Sequence, residues 1–333
     1  MKIKICLFLL VYLFSLSSKG QSDYYSTPIT YEAGISLGPM NSLTDIGGRN
    51  GRGRRGPKDL NIKSTTFYGS IYGMAIYKHF LALRLEGTVG SIKSNDSLLE
   101  STKLNQGAIG RYSRNLSFRS PIYELSLTAE FHPIDFFGNA DPQGYPPVLS
   151  PYIIAGAGYF HFNPQANLNG EWINLRPLHT EGEGFTEYPA SKEYKLSQFN
   201  MPVGAGVSFE LSQALNLRVE YINRILFTDY LDDVHNKYID PALFQKYLSG
   251  NNLTNALILN IRGRTDVLPS QTTARPGGRR GNPLNNDSYF TLNFKIGYAF
   301  GRNGGGGGSG DYGGSEKSLR KLHKQQRLCP RLF

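Results

Sequence analysis

Asp229, Asp232 and Asp233 place three carboxylates within five residues, with His235 and Asp240 close behind. Grouped oxygen ligands suit calcium, which takes about six to eight of them. The spacing fits no EF-hand loop, and a solvated corner between a strand and a loop explains the run equally well. The three aspartates are therefore only weak metal candidates, and no metal or cofactor is expected. The six histidines, His79, His132, His161, His179, His235 and His323, form no His-x-x-x-His or His-Glu-x-x-His pattern. That removes the usual helical zinc site.

The formal net charge is +10, unevenly placed. Arg49, Arg52, Arg54, Arg55 and Lys58 crowd one Gly-rich stretch, Arg275, Arg279 and Arg280 another, and Lys317, Arg320, Lys321, Lys324, Arg327 and Arg331 the C-terminal end. The stretch GGRNGRGRRG at 47–56 lacks the Gly-Lys-Ser/Thr ending of a P-loop. It reads as a mobile basic surface loop whose arginines can meet phosphates. Arg49, Arg52, Arg54, Arg55, Lys317, Arg320, Lys321 and Lys324 are thus candidate contacts for an anionic ligand or a partner.

A second set of charges sits inside alternating segments. From Leu81 to Val89, Leu81, Leu83, Leu85, Gly87 and Val89 share one face, with Ala82, Arg84, Glu86 and Thr88 on the other. Tyr123 to Phe131 sets apolar residues against Glu124, Ser126, Thr128 and Glu130. Leu215 to Tyr221 sets them against Asn216, Arg218 and Glu220. Period-two alternation marks strands with one apolar face. A soluble sandwich turns that face inward; a membrane barrel turns it toward lipid and keeps a polar lumen.

The rest of the chain decides between them. Met1 to Gly20 opens with Lys2 and Lys4, runs apolar from Ile5 to about Leu16 and ends on small or polar residues. The apolar run is too short to span a bilayer and reads as a cleaved signal peptide. Cys329 is then the only cysteine left, so no intramolecular disulfide forms. Export also makes nucleic acid a poor ligand despite the basic charge.

Eight strands are predicted, at roughly 28–40, 64–77, 81–93, 117–131, 151–162, 199–211, 215–229 and 287–300. Their connections alternate long and short, as when one end of a barrel faces the periplasm and the other the outside. Tyr289 to Phe300 puts Phe290, Leu292, Phe294, Ile296, Tyr298 and Phe300 on one face, suiting lipid and an aromatic girdle. The predicted fold is all-β: an eight-stranded antiparallel transmembrane β-barrel over 21–300 with long extracellular loops.

Arg84, Glu86, Glu124, Glu130, Arg218 and Glu220 then face a lumen only wide enough for side chains to fill, so paired charges should plug it. In the longest loop, Asp240 and Pro241 read as a helix start and Gly250 as its stop. That loop and the one from Asn163 to Gln198 are expected to be only partly ordered. Residues 301–314 read as a Gly-rich linker and 315–333 as a basic periplasmic tail.

Three segments carry a resemblance. They are Tyr31-Glu32-Ala33-Gly34-Ile35-Ser36-Leu37-Gly38 with Asp45-Ile46-Gly47, then Leu226-Phe227-Thr228-Asp229-Tyr230-Leu231-Asp232-Asp233-Val234, and Arg280-Gly281-Asn282-Pro283 with Asn286-Asp287. With Gln21 as first mature residue, they resemble Bacteroidota outer-membrane barrels of the PorG-like type. The resemblance implies a non-enzymatic anchoring component of the type IX secretion system, in contact with periplasmic secretion-ring proteins as well as outer-membrane lipid. The basic stretch at 47–56 and the tail depart from that pattern. Two other readings stay open. One is a surface-binding barrel whose basic loops contact lipopolysaccharide or proteins. The other is a lipid A-modifying enzyme using a His-Ser-carboxylate set around His161 or His179.

Overall fold

The computed structural model describes residues 28–48, 60–101, 106–137, 149–212, 214–260, 262–263 and 275–300. The expected signal peptide, most of the basic stretch at 47–56 and everything after Phe300 lie outside them.

Eight long strands form the wall: β1 (Ile29–Leu43), β2 (Thr66–Tyr77), β3 (Leu81–Asn95), β4 (Ser117–Phe131), β5 (Leu149–Phe162), β8 (Ser197–Glu210), β9 (Leu215–Leu226) and β10 (Ser288–Phe300). A short hairpin, β6 (Gln165–Leu168) and β7 (Glu171–Asn174), extends from the end of β5. Every neighbouring pair of the eight is antiparallel. β1 pairs with β10, and β3 with β4, so the sheet closes on itself. Among the described residues no helix is long and apolar enough to cross a membrane. The crossing is made by strands.

Alternation fixes which way each side chain points. Leu83, Leu85, Val89, Tyr123, Leu125, Leu127, Phe294, Ile296 and Tyr298 are exposed on the outer wall, whereas Arg84, Glu86, Glu124, Glu130 and Lys295 are buried within it. An apolar exterior around a charged interior has no solvent but lipid that suits it. At the short end of β2–β3, Lys78 and His79 both take positive φ, the backbone twist that tight hairpins require. Gly34 and Gly297 face each other in register on the inner face. A Cβ on Gly297 would collide with the Glu32 carboxylate and the Tyr72 hydroxyl, so the glycines make room for that contact.

The lumen is layered. Tyr72, Met74, Ile76 and Ala82 form a small apolar cluster toward the short-turn end. Charged residues fill the middle. Above them Met40, Tyr68, Ile92, Phe118, Ile122, Phe160, Phe162, Leu226 and Tyr289 pack with Ile46, Leu116, Leu231 and Val234 from the loops.

The long-loop end adds one helix and needs one correction. α3 (Ala242–Tyr247) falls where predicted, with the Asp240 carboxylate accepting from Ala242 N at 3.0 Å, and it ends at the extended Leu248, just short of Gly250. Not expected is a second helix, α4 (Gly250–Asn260), which Gly250 opens with φ 56°. The apolar side of that helix carries Ala256 and Leu259 onto Leu175, Leu178, Phe185, Ile239 and Phe244. The loop from 163 to 198, expected to be partly ordered, is built throughout, because its Leu175, Leu178 and Phe185 belong to this second core.

Candidate functional site

Two buried polar networks account for the chemistry-bearing side chains, one inside the wall and one in the loops above it. The first is centred on Arg84. Its guanidinium lies 2.6 Å from Glu130, 2.6 Å from Glu220 and 3.2 Å from Glu86. Lys295 reaches Glu86 at 2.5 Å and Glu220 at 3.6 Å. Arg218 joins Glu32 at 2.9 Å to Glu130 at 3.0 Å, and Arg224 pairs with Glu124 at 3.2 Å. The six charges singled out in the sequence are all within the wall, together with Glu32, Arg224 and Lys295, which the alternation argument passed over. In a low-dielectric interior such charges are tolerated only as hydrogen-bonded sets. Tyr152 adds a hydroxyl to Glu220 at 2.6 Å. The arrangement binds strands far apart in sequence to one another and fills the bore.

The second network sits in the crown formed by the long loops. Asp229, Asp232 and Asp233 are buried, which corrects their reading as a solvated corner. Each has separate partners. Asp229 meets His235 Nδ1 at 2.8 Å. Asp232 accepts from Ile46 N at 2.9 Å and Val234 N at 3.0 Å, and Asp233 accepts from Thr180 and Tyr194 hydroxyls, each at 2.6 Å. Among the described residues no group of three His, Cys, Asp or Glu is arranged to hold a metal ion. Arg280, read in the sequence as part of a basic loop, is buried and pairs with Glu181 at 2.9 Å and Asp233 at 3.4 Å. Arg114, on α1 (Gln106–Arg114), does the same for Asp96 at 2.7 Å and also donates to the Asp45 and Arg280 carbonyls.

Among the described buried residues of this crown, carboxylates outnumber cations. Burial, reinforced by Asp45 and Glu181, pushes Asp229 up to about 9. Burial with Asp233 and Glu181 pushes Glu183 up to about 8. Asp232 and Asp287 are also held well above the usual carboxylate range by burial and by the neighbouring aspartates. Arg280 opposes the shift at Glu181 and Asp233 without reversing it.

Neither His161 nor His179 joins a carboxylate among the described residues. His161 Nδ1 meets Ser197 Oγ at 2.8 Å on the outer wall, and His179 Nδ1 donates to the Glu183 carbonyl at 2.6 Å. A Ser-His-Asp grouping does form elsewhere, at the short-turn end: Ser150 Oγ lies 2.8 Å from His132 Nδ1 and donates to Asp135 Oδ2 at 2.7 Å. The serine proton is then held by the carboxylate, not by the imidazole, the reverse of a nucleophile relay. Both Ser150 and His132 are buried. The grouping ties α2 (Pro133–Phe137) to β5. Arg49, Arg52, Arg54, Arg55, Lys317, Arg320, Lys321 and Lys324 lie outside the described residues.

A family model described as a domain of unknown function, DUF6089, matches residues 9–255, most of the chain. The chain belongs to the DUF6089 family. Among curated proteins none matches this DUF6089 chain in sequence. Solved structures similar to it include three proteins of low sequence identity. The attachment invasion locus protein Ail of Yersinia pestis, crystallised with the heparin analogue sucrose octasulfate, is 11% identical (TM-score 0.33; 81% of this chain and 99% of that one). The outer membrane protein OprG of Pseudomonas aeruginosa is 10% identical (TM-score 0.34; 84% and 99%). A major outer membrane protein of Thermus thermophilus is 14% identical (TM-score 0.34; 82% and 100%). The barrel of the DUF6089 chain stands on its own strand pairings.

Proposed function

We propose that the protein is a non-catalytic barrel of the Gram-negative outer membrane that serves as a structural or anchoring component. The observation that carries this reading is the filled bore: an ion-paired middle, an aromatic layer above it and an ordered crown leave no open route or reactive cleft among the described residues. Work is left to the outer wall and the two rims. The short-turn end, where Phe300 closes the barrel, faces the periplasm in this reading, and the basic segment 315–333 that follows it in sequence serves as the docking element. The resemblance of the 31–47, 226–234 and 280–287 segments to PorG-like barrels supports extending the anchoring role to the type IX secretion system.

Deleting residues 301–333 is expected to leave the barrel folded and to abolish cross-linked recovery of periplasmic secretion-ring proteins from native membranes. Unchanged recovery would remove the tail from the account. The surface-binding reading is favoured by one specific observation on the outer rim, the facing cations Lys93 and Arg119.

A further inference from the structure

Lys93 of β3 and Arg119 of β4 stand directly opposite each other in register, on the outward face that also carries Val89 and Tyr123. Like charges facing each other across an antiparallel pair repel. Neither side chain has an acidic partner among the described residues. Lys93 is exposed. Arg119 Nη2 donates to the neutral Gln165 Oε1 at 2.8 Å, and its guanidinium lies over the Trp172 ring at 4.0 Å. A third cation, Lys63, is exposed in the 3-10 turn Ile62–Ser64, which is tied to β3 through Ser64 Oγ and Ser94 Oγ at 3.3 Å. The fold thus concentrates positive charge here, with no counter-charge paired to it among the described residues.

The height of the pair on the barrel indicates what does. Two outward positions down, Val89 and Tyr123 form a lateral row with His161, and Tyr159 and Phe199, 5.2 Å from each other, stand beside it. That row is the aromatic rim of the apolar band. Lys93 and Arg119 are four residues further along their strands, which at about 3.3 Å per residue and a tilt of roughly 40° raises them about 10 Å. Polar headgroups occupy roughly the 5–8 Å beyond the hydrocarbon on each side. The Cα atoms of Lys93 and Arg119 stand about 2–5 Å outside that layer, so the long side chains reach back to the phosphates of the leaflet that the long loops face. The stack on Trp172 and the bond to Gln165 hold the Arg119 fork in place beforehand, which suits bidentate phosphate binding.

We propose that Lys93 and Arg119, with Lys63 alongside, bind the phosphorylated glucosamine headgroup of lipid A in the outer leaflet. This rests on the outer-membrane placement above and is independent of any role in secretion, so failure of the pull-down leaves it standing.

Trp172 is the sole tryptophan of the chain, and it touches the proposed site. The full-length barrel in neutral detergent is titrated with diphosphorylated lipid A, with dephosphorylated lipid A and with inorganic phosphate, reading Trp172 emission. The expected result is a saturable change with diphosphorylated lipid A alone, suppressed by salt, and about tenfold weaker in K93Q, the loss of one charge-assisted contact. Lys93 is exposed, so K93Q should keep its fold, checked by its gel mobility without heating. Without any anion, K93Q should melt no lower than the wild type, since a repulsion has been removed. No change with diphosphorylated lipid A, an equal response to the dephosphorylated lipid or to inorganic phosphate, or unchanged affinity in K93Q would each overturn the proposal.

Discussion

Replacing Arg84 by alanine is expected to destabilise the barrel by about 3–5 kcal/mol, the cost of stripping a buried carboxylate set of its partner. Five carboxylates, Glu32, Glu86, Glu124, Glu130 and Glu220, share the bore with four cations, Arg84, Arg218, Arg224 and Lys295. Arg84 is fully buried and is the cation that touches three of the five. Its loss leaves Glu130 with Arg218, and Glu86 and Glu220 with Lys295 as their remaining cation. Urea titration in lipid vesicles, scored by the mobility of folded barrel on unheated gels, measures the effect. Arg84→Ala combined with Glu220→Gln should recover part of the loss, because one surplus charge goes with its partner. A single variant within about 1 kcal/mol of wild type, the range of an exposed ion pair, would show that the network is not what holds the strands.

Raising the pH through about 8 to about 9 is expected to loosen the crown, because these are the values to which Glu183 and Asp229 are raised. The sign follows from the direction of the shifts. A carboxyl whose folded pKa lies above its unfolded one binds its proton more tightly in the folded state. Its contribution is complete below the unfolded pKa and is lost as pH rises through the folded value. Glu183, Asp229, Asp232 and Asp287 all shift this way, and the cations facing them, Arg280 and Arg114, already have partners in Glu181, Asp233 and Asp96. Hydrogen exchange of peptides from 163–196 and 227–260, corrected for intrinsic rates, should show at least about a tenfold loss of protection across the transition, one unit of linkage. Wall strands should not change over the same range. Asp229→Asn should flatten the dependence. Protection that is constant or that rises with pH would contradict the assignment of these groups.

The wall was legible because lipid outside and charge inside impose a strict two-residue period. Leu81–Val89 and Tyr123–Phe131 carry that period without interruption, and the observed strands begin and end within a few residues of the predicted ones. The ion pairs were not legible. Arg84 meets Glu130 and Glu220 across strands whose relative stagger no local pattern encodes, and Lys295 hides in a strand noticed for its aromatic outer face. In the crown the failure has another cause. Arg280 and the 229–233 aspartates look like solvated charge when read along the chain, and only the return of the 175–185 segment brings Glu181 and Thr180 to them. The helix stop before Gly250 was legible, but the second helix that Gly250 opens was not, because it is held by Ala256 and Leu259 burying against Phe244, a contact no local pattern encodes.

In the proposed function the barrel is plugged by its own side chains and serves through its surfaces. Single-channel recording of the full-length protein in planar bilayers tests this most directly. A silent bilayer is expected at protein levels where folded barrel is demonstrably inserted. Large, stable, porin-like openings would contradict it.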